Sequence, residues 1–182
     1  MKPVRRDRRK QGGNFLVELA LSFLPYFAII FGILDFSYVM FIYSNFQNAA
    51  REGCRFAITY STTYNGTNYS SMTQAVTAVV QANTMGVLAG TNGANYIHVN
   101  YYLPDNLSTP ATSGQLPHTL ANGTVVSYLN SPGNVIEVKI QSFPWNWMVP
   151  LPGFMPAGPT LNASALDVLQ GLPVGVTTPP SP

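Results

Sequence analysis

The chain has 182 residues, enough for one membrane helix and one modest domain; only 9% are charged, against 46% apolar, which is unusual for a soluble cytosolic domain. The net charge of +2 hides an asymmetry: Lys2, Arg5, Arg6, Arg8, Arg9 and Lys10 precede Gly13 with Asp7 the one acid among them, a net +5, whereas Arg51, Arg55 and Lys139 stand against six acids in the remainder, a net −3. A short basic head on a weakly acidic body argues against nucleic-acid binding, which needs the basic surface on the folded part, and suits a cytoplasmic flank beside a membrane span.

From Phe15 to Ile42 the chain is almost continuously apolar, with Glu18 and Asp35 its only charges. A bilayer core of ~30 Å needs about 20 helical residues. The window Phe15–Leu34 meets that length, placing Glu18 about one turn inside the near interface and Asp35 at the far one, where a charge is less costly than at the midplane. Tyr38, Phe41 and Tyr43 follow as an interfacial aromatic belt would. The basic flank predicts that the Met1 side is cytoplasmic and the C-terminal body exported. A cleaved signal peptide is disfavoured, because its apolar core runs about 7–15 residues before a small-residue cleavage site. Pro25 lies inside the span and predicts a kink or local unwinding.

The stretch Arg9-Lys10-Gln11-Gly12-Gly13-Asn14-Phe15-Leu16-Val17-Glu18 ends a basic leader in glycine, starts the apolar helix at once and sets a lone carboxylate five residues on. It resembles the processing site of type IV prepilins. That resemblance implies cleavage by a prepilin peptidase between Gly13 and Asn14, and a role for Glu18 as the subunit-assembly carboxylate. The chemistry is consistent: the new α-ammonium would sit at a helix N-terminus, where the dipole disfavours positive charge, and a neighbour's carboxylate could compensate it.

The helix is expected to continue through Ser44–Ala57. Phe46, Ala49 or Ala50, Gly53 and Ala57 recur on one face, with Arg51 and Arg55 at i and i+4 on another. Phe31-Gly32-Ile33-Leu34-Asp35-Phe36, followed by Gln47-Asn48-Ala49-Ala50-Arg51-Glu52-Gly53-Cys54-Arg55-Phe56-Ala57, resembles the TadE-like family over roughly residues 5–60. The departures are Cys54, where alanine is usual, Pro25 and Leu19. The stretch Val135–Ile140, the Pro-rich segment through Leu151-Pro152-Gly153-Phe154 and Leu161–Ala165 give a fainter echo. The resemblance implies a pseudopilin or minor pilin of the tight-adherence (Flp, type IVc) pilus system. Implied with it are an inner-membrane location and, as partners, other pilin-like subunits through the N-terminal helix, the prepilin peptidase and the pilus assembly platform. Asp35, Ala50, Arg51, Gly53 and Arg55 are the further candidate packing or polar contacts.

Beyond Tyr60 the composition turns to Ser, Thr, Asn, Tyr and Gly. Residues 61–70 read as a loop, and Ser71–Met85 as a helix with Met72, Ala75, Val76, Val79, Val80 and Ala82 on its apolar face. Residues 86–95 read as a turn-rich break. Residues 96–103 form a strand with Ile97, Val99 and Tyr101 on one face, and 104–117 a long loop. A short strand at 125–129 and a better one at 134–142 follow, the latter carrying Glu137 and Lys139 on the face of Val135. Five prolines between 144 and 159 predict an irregular or edge segment, in which Trp145 and Trp147 pack under a loop or meet the membrane surface or a partner. Residues 160–169 read as a last strand or short helix, and 173–182 as a frayed tail. The expected organisation is a leader over 1–13, a transmembrane and stalk helix over 14–60, an exported α+β body with an antiparallel sheet over 61–172, and the tail.

Signs of catalysis are thin. His98 and His118 lack metal-ligand neighbours at a useful spacing, so no metal and no cofactor is expected. The single cysteine, Cys54, excludes an intrachain disulfide and reads as a small buried residue. No phosphate-cradling loop or nucleophile elbow occurs. The expectation is a structural protein and not an enzyme. The alternative is a membrane-anchored adhesin or ligand-binding module that no prepilin peptidase processes.

Overall fold

The computed structural model describes residues 12–148 and 158–182, with side chains from Phe15 onward. The basic leader through residue 11, the prolines at 150, 152 and 156 and the echo at 151–154 lie outside the described residues. The described residues form two compact units, 12–40 with 147–148, and 41–146 with 158–182.

The helix α1 spans Gly12–Ala57. Its Leu, Ala and Met content favours helix, and its β-branched residues are scattered. It stays helical across Pro25, so that residue does not unwind it. In the first unit its residues Phe15–Ile29 are exposed. In the second, Ile42, Phe46, Ala49, Ala50, Gly53, Cys54 and Ala57 are buried along one stripe at steps of three and four, as the 3.6-residue pattern requires. The helix closes in a turn in which Tyr60 N–H donates to Ala57 O and Tyr60 takes the left-handed region at φ 53°. The Tyr60 hydroxyl donates to Gln170 O at 2.8 Å and fixes that turn on the body.

In the second unit, residues 61–70, expected to be a plain loop, contain a small hairpin of β1 (Thr63–Tyr64) and β2 (Thr67–Asn68). Asn65 and Gly66 both adopt positive φ, the conformation a two-residue primed turn demands. α2 (Met72–Asn83) follows, with the Ser71 hydroxyl accepting the Gln74 N–H as N-cap. Met72, Ala75, Val76, Val79 and Val80 are buried; Ala82 falls off the stripe and is exposed. α3 (Gly90–Ala94) is a single short turn inside the expected break.

β3 (Ile97–Tyr102), β6 (Val135–Pro144) and β7 (Thr160–Val168) form the main antiparallel sheet in the order β3-β6-β7. The last segment is therefore a strand. Ile97, Tyr101, Ile136, Val138, Ile140, Leu161 and Ala163 lie on the buried face. Each such large apolar side chain contributes about 1.5–3 kcal/mol by leaving water. β4 (His118–Thr119) and β5 (Val125–Val126) form a separate hairpin. A bulge between Ile140 and Phe143 shifts the β6–β7 register, and the Asn162 carboxamide oxygen accepts the Ser142 N–H there. The mixed architecture is α+β, as the sequence pattern predicts.

The tail, expected to fray, is held near its end. Ser181 O accepts the Met72 N–H at 2.8 Å, and Pro180 O accepts the Asn130 Nδ2 at 2.8 Å.

Candidate assembly interface

α1 presents an exposed apolar surface over residues 15–29, with Leu21 and Leu24 each 72% exposed. From Phe15 on it is long and apolar enough to cross a membrane, by length and composition. Two serine hydroxyls in this part of α1 are satisfied within the helix. Ser22 Oγ donates to Glu18 O at 2.9 Å and Ser37 Oγ to Ile33 O at 2.7 Å, the arrangement a hydroxyl adopts where water cannot serve it. Phe23, Phe27 and Phe31 stack along one face with centroids 5.9 and 6.2 Å apart. Glu18 is exposed on this apolar surface, beside the shallow depression formed by Leu19, Ser22, Phe23 and Tyr26. Gly13 and Asn14 belong to the first helical turn.

Asp35 is only 1% exposed, and its Oδ1 accepts the Met148 N–H at 2.9 Å. Its partner lies 113 residues away in the chain, within the same unit, which no local pattern could announce. Tyr38, Phe41 and Tyr43 are exposed, and the Tyr43 hydroxyl accepts from Gln47 Nε2.

The segment 50–55 of α1 divides by face. Ala50, Gly53 and Cys54 are buried, whereas Arg51, Glu52 and Arg55 are exposed. A Cβ on Gly53 would stand 2.7 Å from Val80 Cγ2, 3.3 Å from Val138 Cγ1 and 3.5 Å from Val76 Cγ1, so glycine permits the helix to approach α2 and the sheet this closely. The neighbouring Cys54 thiol donates to Ala165 O at 3.2 Å. The small residues therefore hold the body onto the helix, and the charged ones face outward.

Two polar arrangements on the body escaped the sequence. Glu137 Oε2 accepts from both the Tyr102 hydroxyl at 2.8 Å and Asn100 Nδ2 at 3.1 Å. Desolvation, and then the bond to Glu137, push the Tyr102 hydroxyl above its usual range. His118 Nε2 lies 2.7 Å from Asp105 Oδ2 and ties the 104–117 loop to β4. The bond from His118 holds the Asp105 carboxyl below its ordinary value. The alternation at 134–142 does signal the Glu137 face, but the pairing needs the β3–β6 register. His98 is exposed and stands in register with Lys139. Trp145 is buried, and its backbone N–H donates to Pro159 O. Among the described residues no group of three or more His, Cys, Asp or Glu side chains could hold a metal ion.

Residues 13–55 match the family model described as TadE-like protein, a stretch that runs from the start of α1 through the small-residue stripe. No curated protein and no solved structure matches the chain.

Proposed function

We propose that this chain, TadE-like over residues 13–55, is a structural pilin-like component of the tight-adherence (type IVc) pilus, a minor pilin or pseudopilin with no catalytic role. The observation that carries the reading is the coincidence of that match with α1. Within it an exposed apolar stretch passes into a stripe of small residues that seat the body. In this reading α1 crosses the inner membrane once, with the basic leader cytoplasmic and the body on the far side. Other pilin-like subunits pack along the apolar stretch, and the assembly platform receives the protein there.

Cleavage by the prepilin peptidase after Gly13 makes Asn14 the N-terminus and Glu18 the fifth residue. Gly12 and Gly13 are poor helix formers, so the first turn opens at little cost into the extended form a protease binds. The released α-ammonium is disfavoured at the positive end of the helix dipole. Glu18, exposed on an otherwise apolar surface, supplies a compensating carboxylate to a neighbouring subunit and sets the axial register between helices. Arg51 and Arg55 are left for contacts beyond the chain's own core.

The test is the intact mass of the protein from membranes with and without the prepilin peptidase. Peptidase-dependent loss of residues 1–13 supports entry into the pilus pathway. An uncleaved chain in both backgrounds removes the pseudopilin assignment. Glu18→Ala should then abolish incorporation while leaving membrane insertion intact.

A further inference from the structure

The main sheet has two edge strands, β3 and β7. In an antiparallel ladder alternate residues direct their backbone groups to opposite neighbours. Leu169 N–H donates to Asn134 O and Leu169 O accepts from Gly133, so odd-numbered residues of β7 face β6. Trp145 N–H donating to Pro159 O shows that the same parity holds across the bulge. The N–H and C=O groups of Asn162, Ser164 and Leu166 therefore point away from the sheet. Among the described residues they have no backbone partner. The Val168 N–H, which shares this direction, is occupied by Asp167 Oδ1 at 2.8 Å. On the opposite edge, the outward Tyr101 carbonyl of β3 is covered by the Ala111 N–H at 2.7 Å and Leu103 bridges to Asn106, while the outward groups of Ile97 and Val99, residues without comparably exposed side chains, also have no backbone partner among the described residues.

An open edge strand is a template for another strand, and proteins ordinarily guard it with lysine, proline or a covering loop. β7 has no lysine and no proline within Thr160–Val168, and carries two exposed apolar side chains, Leu166 at 61% and Val168 at 46%. Ser164 is the middle residue of the strand, and the three residues with open groups, 162, 164 and 166, are symmetric about it. We propose that the body pairs with a second copy of this chain through β7, antiparallel about Ser164.

In that register Ser164 faces Ser164 of the second copy and Asn162 faces its Leu166, while Thr160 faces its Val168. This brings the exposed Leu166 and Val168 against neighbours on the same sheet face. The six open backbone groups on each strand meet their complements. Full overlap of the nine residues is reached only with the two-fold at Ser164. The one charged residue of the strand, Asp167, lies three positions from the two-fold, so the two carboxylates stand about 20 Å apart at 3.4 Å per residue and do not oppose each other. A second copy thus satisfies the edge without a like-charge contact. One strand pair buries less area than a stable soluble dimer needs, so the pairing belongs to copies concentrated together, as chains sharing a membrane are. The inference goes beyond the pilus assignment and does not depend on cleavage at Gly13.

Directly opposed residues of a hydrogen-bonded pair have Cα atoms about 5.5 Å apart, within disulfide range. The full-length chain is reconstituted into lipid vesicles and mildly oxidised, with the wild type, whose one thiol is buried, as the zero. S164C alone should form a covalent dimer. N162C alone and L166C alone should remain monomeric, because each would meet its own copy about 13 Å away at four residues' offset, whereas an equal mixture of the two should cross-link. Ser164→Pro, which removes only an outward N–H and leaves pairing to β6 intact, should lower the yield of that mixture at least tenfold. Absence of S164C dimers overturns the proposal. So do equal yields from the single L166C variant, and a mixture indifferent to Ser164→Pro.

Discussion

Gly53 of α1 and Val80 of α2 meet so closely that a single added methyl at Gly53 would stand 2.7 Å from Val80 Cγ2. Val80 is fully buried and Val138 and Val76 close the other sides, so the methyl has nowhere to go. Gly53→Ala should therefore destabilise the body by about 1–3 kcal/mol of overpacking, outweighing the gain of about 1 kcal/mol that alanine brings to a helix interior. Thermal unfolding of the full chain in detergent measures it. A raised midpoint would mean that the helix and α2 can separate freely.

Cys54 should be inert in the folded chain. It is 2% exposed and its hydrogen is engaged by Ala165 O, and thiol reactivity needs an accessible thiolate. Alkylation by iodoacetamide at pH 8 should be at least tenfold slower in the native protein than in denaturant. Equal rates would place the thiol at the surface.

The tail should behave as part of α2. The Met72 N–H is one of the four donors that every helix start leaves without an intrahelical partner, and Ser181 O takes it. Asn130, fully buried, holds the adjoining Pro180 carbonyl. Asn130→Ala removes that bond at a cost of about 1–3 kcal/mol and should raise the hydrogen-exchange rate of the Met72 amide. An unchanged Met72 rate would show that the tail docks without Asn130.

The Asp105–His118 pair gives an acid-side signature. The carboxyl is held below its ordinary value in the fold, so its contribution is present above the unfolded carboxylate range and is lost as the pH falls through the lowered folded value. Asp105→Asn should reduce stability at neutral pH, and the difference from wild type should close on the acid side of pH 4. Urea titrations across that range test it, and a gap that persists undiminished below the carboxylate range would remove the contact between Asp105 and His118 as its cause.

Much of the architecture was legible. The apolar run from Phe15, the stripe of Phe46, Ala49, Ala50, Gly53 and Ala57, and the alternation of β3 and β6 are local periodicities, and burial of one face enforces each of them. The hairpin at 63–68 was legible too, since Asn65-Gly66 is a turn dipeptide, but residues 61–70 read as a loop because the flanking strands are only two residues long. Ala82 shows the limit of composition: alanine fits either face, and its helical phase leaves it outside.

By itself the sequence determined that this protein has a membrane-length apolar helix with an acid near its start, a small-residue stripe above it and an α+β body, because those depend on residue spacing along one element. Only the tertiary structure decided that Asp35 meets the Met148 amide, that Asp105 meets His118, that residues 180 and 181 are docked at Asn130 and α2, and that β7 is an edge strand. These contacts join residues from 13 to more than 100 positions apart in the chain, and strand order and loop paths, not local periodicity, bring them together.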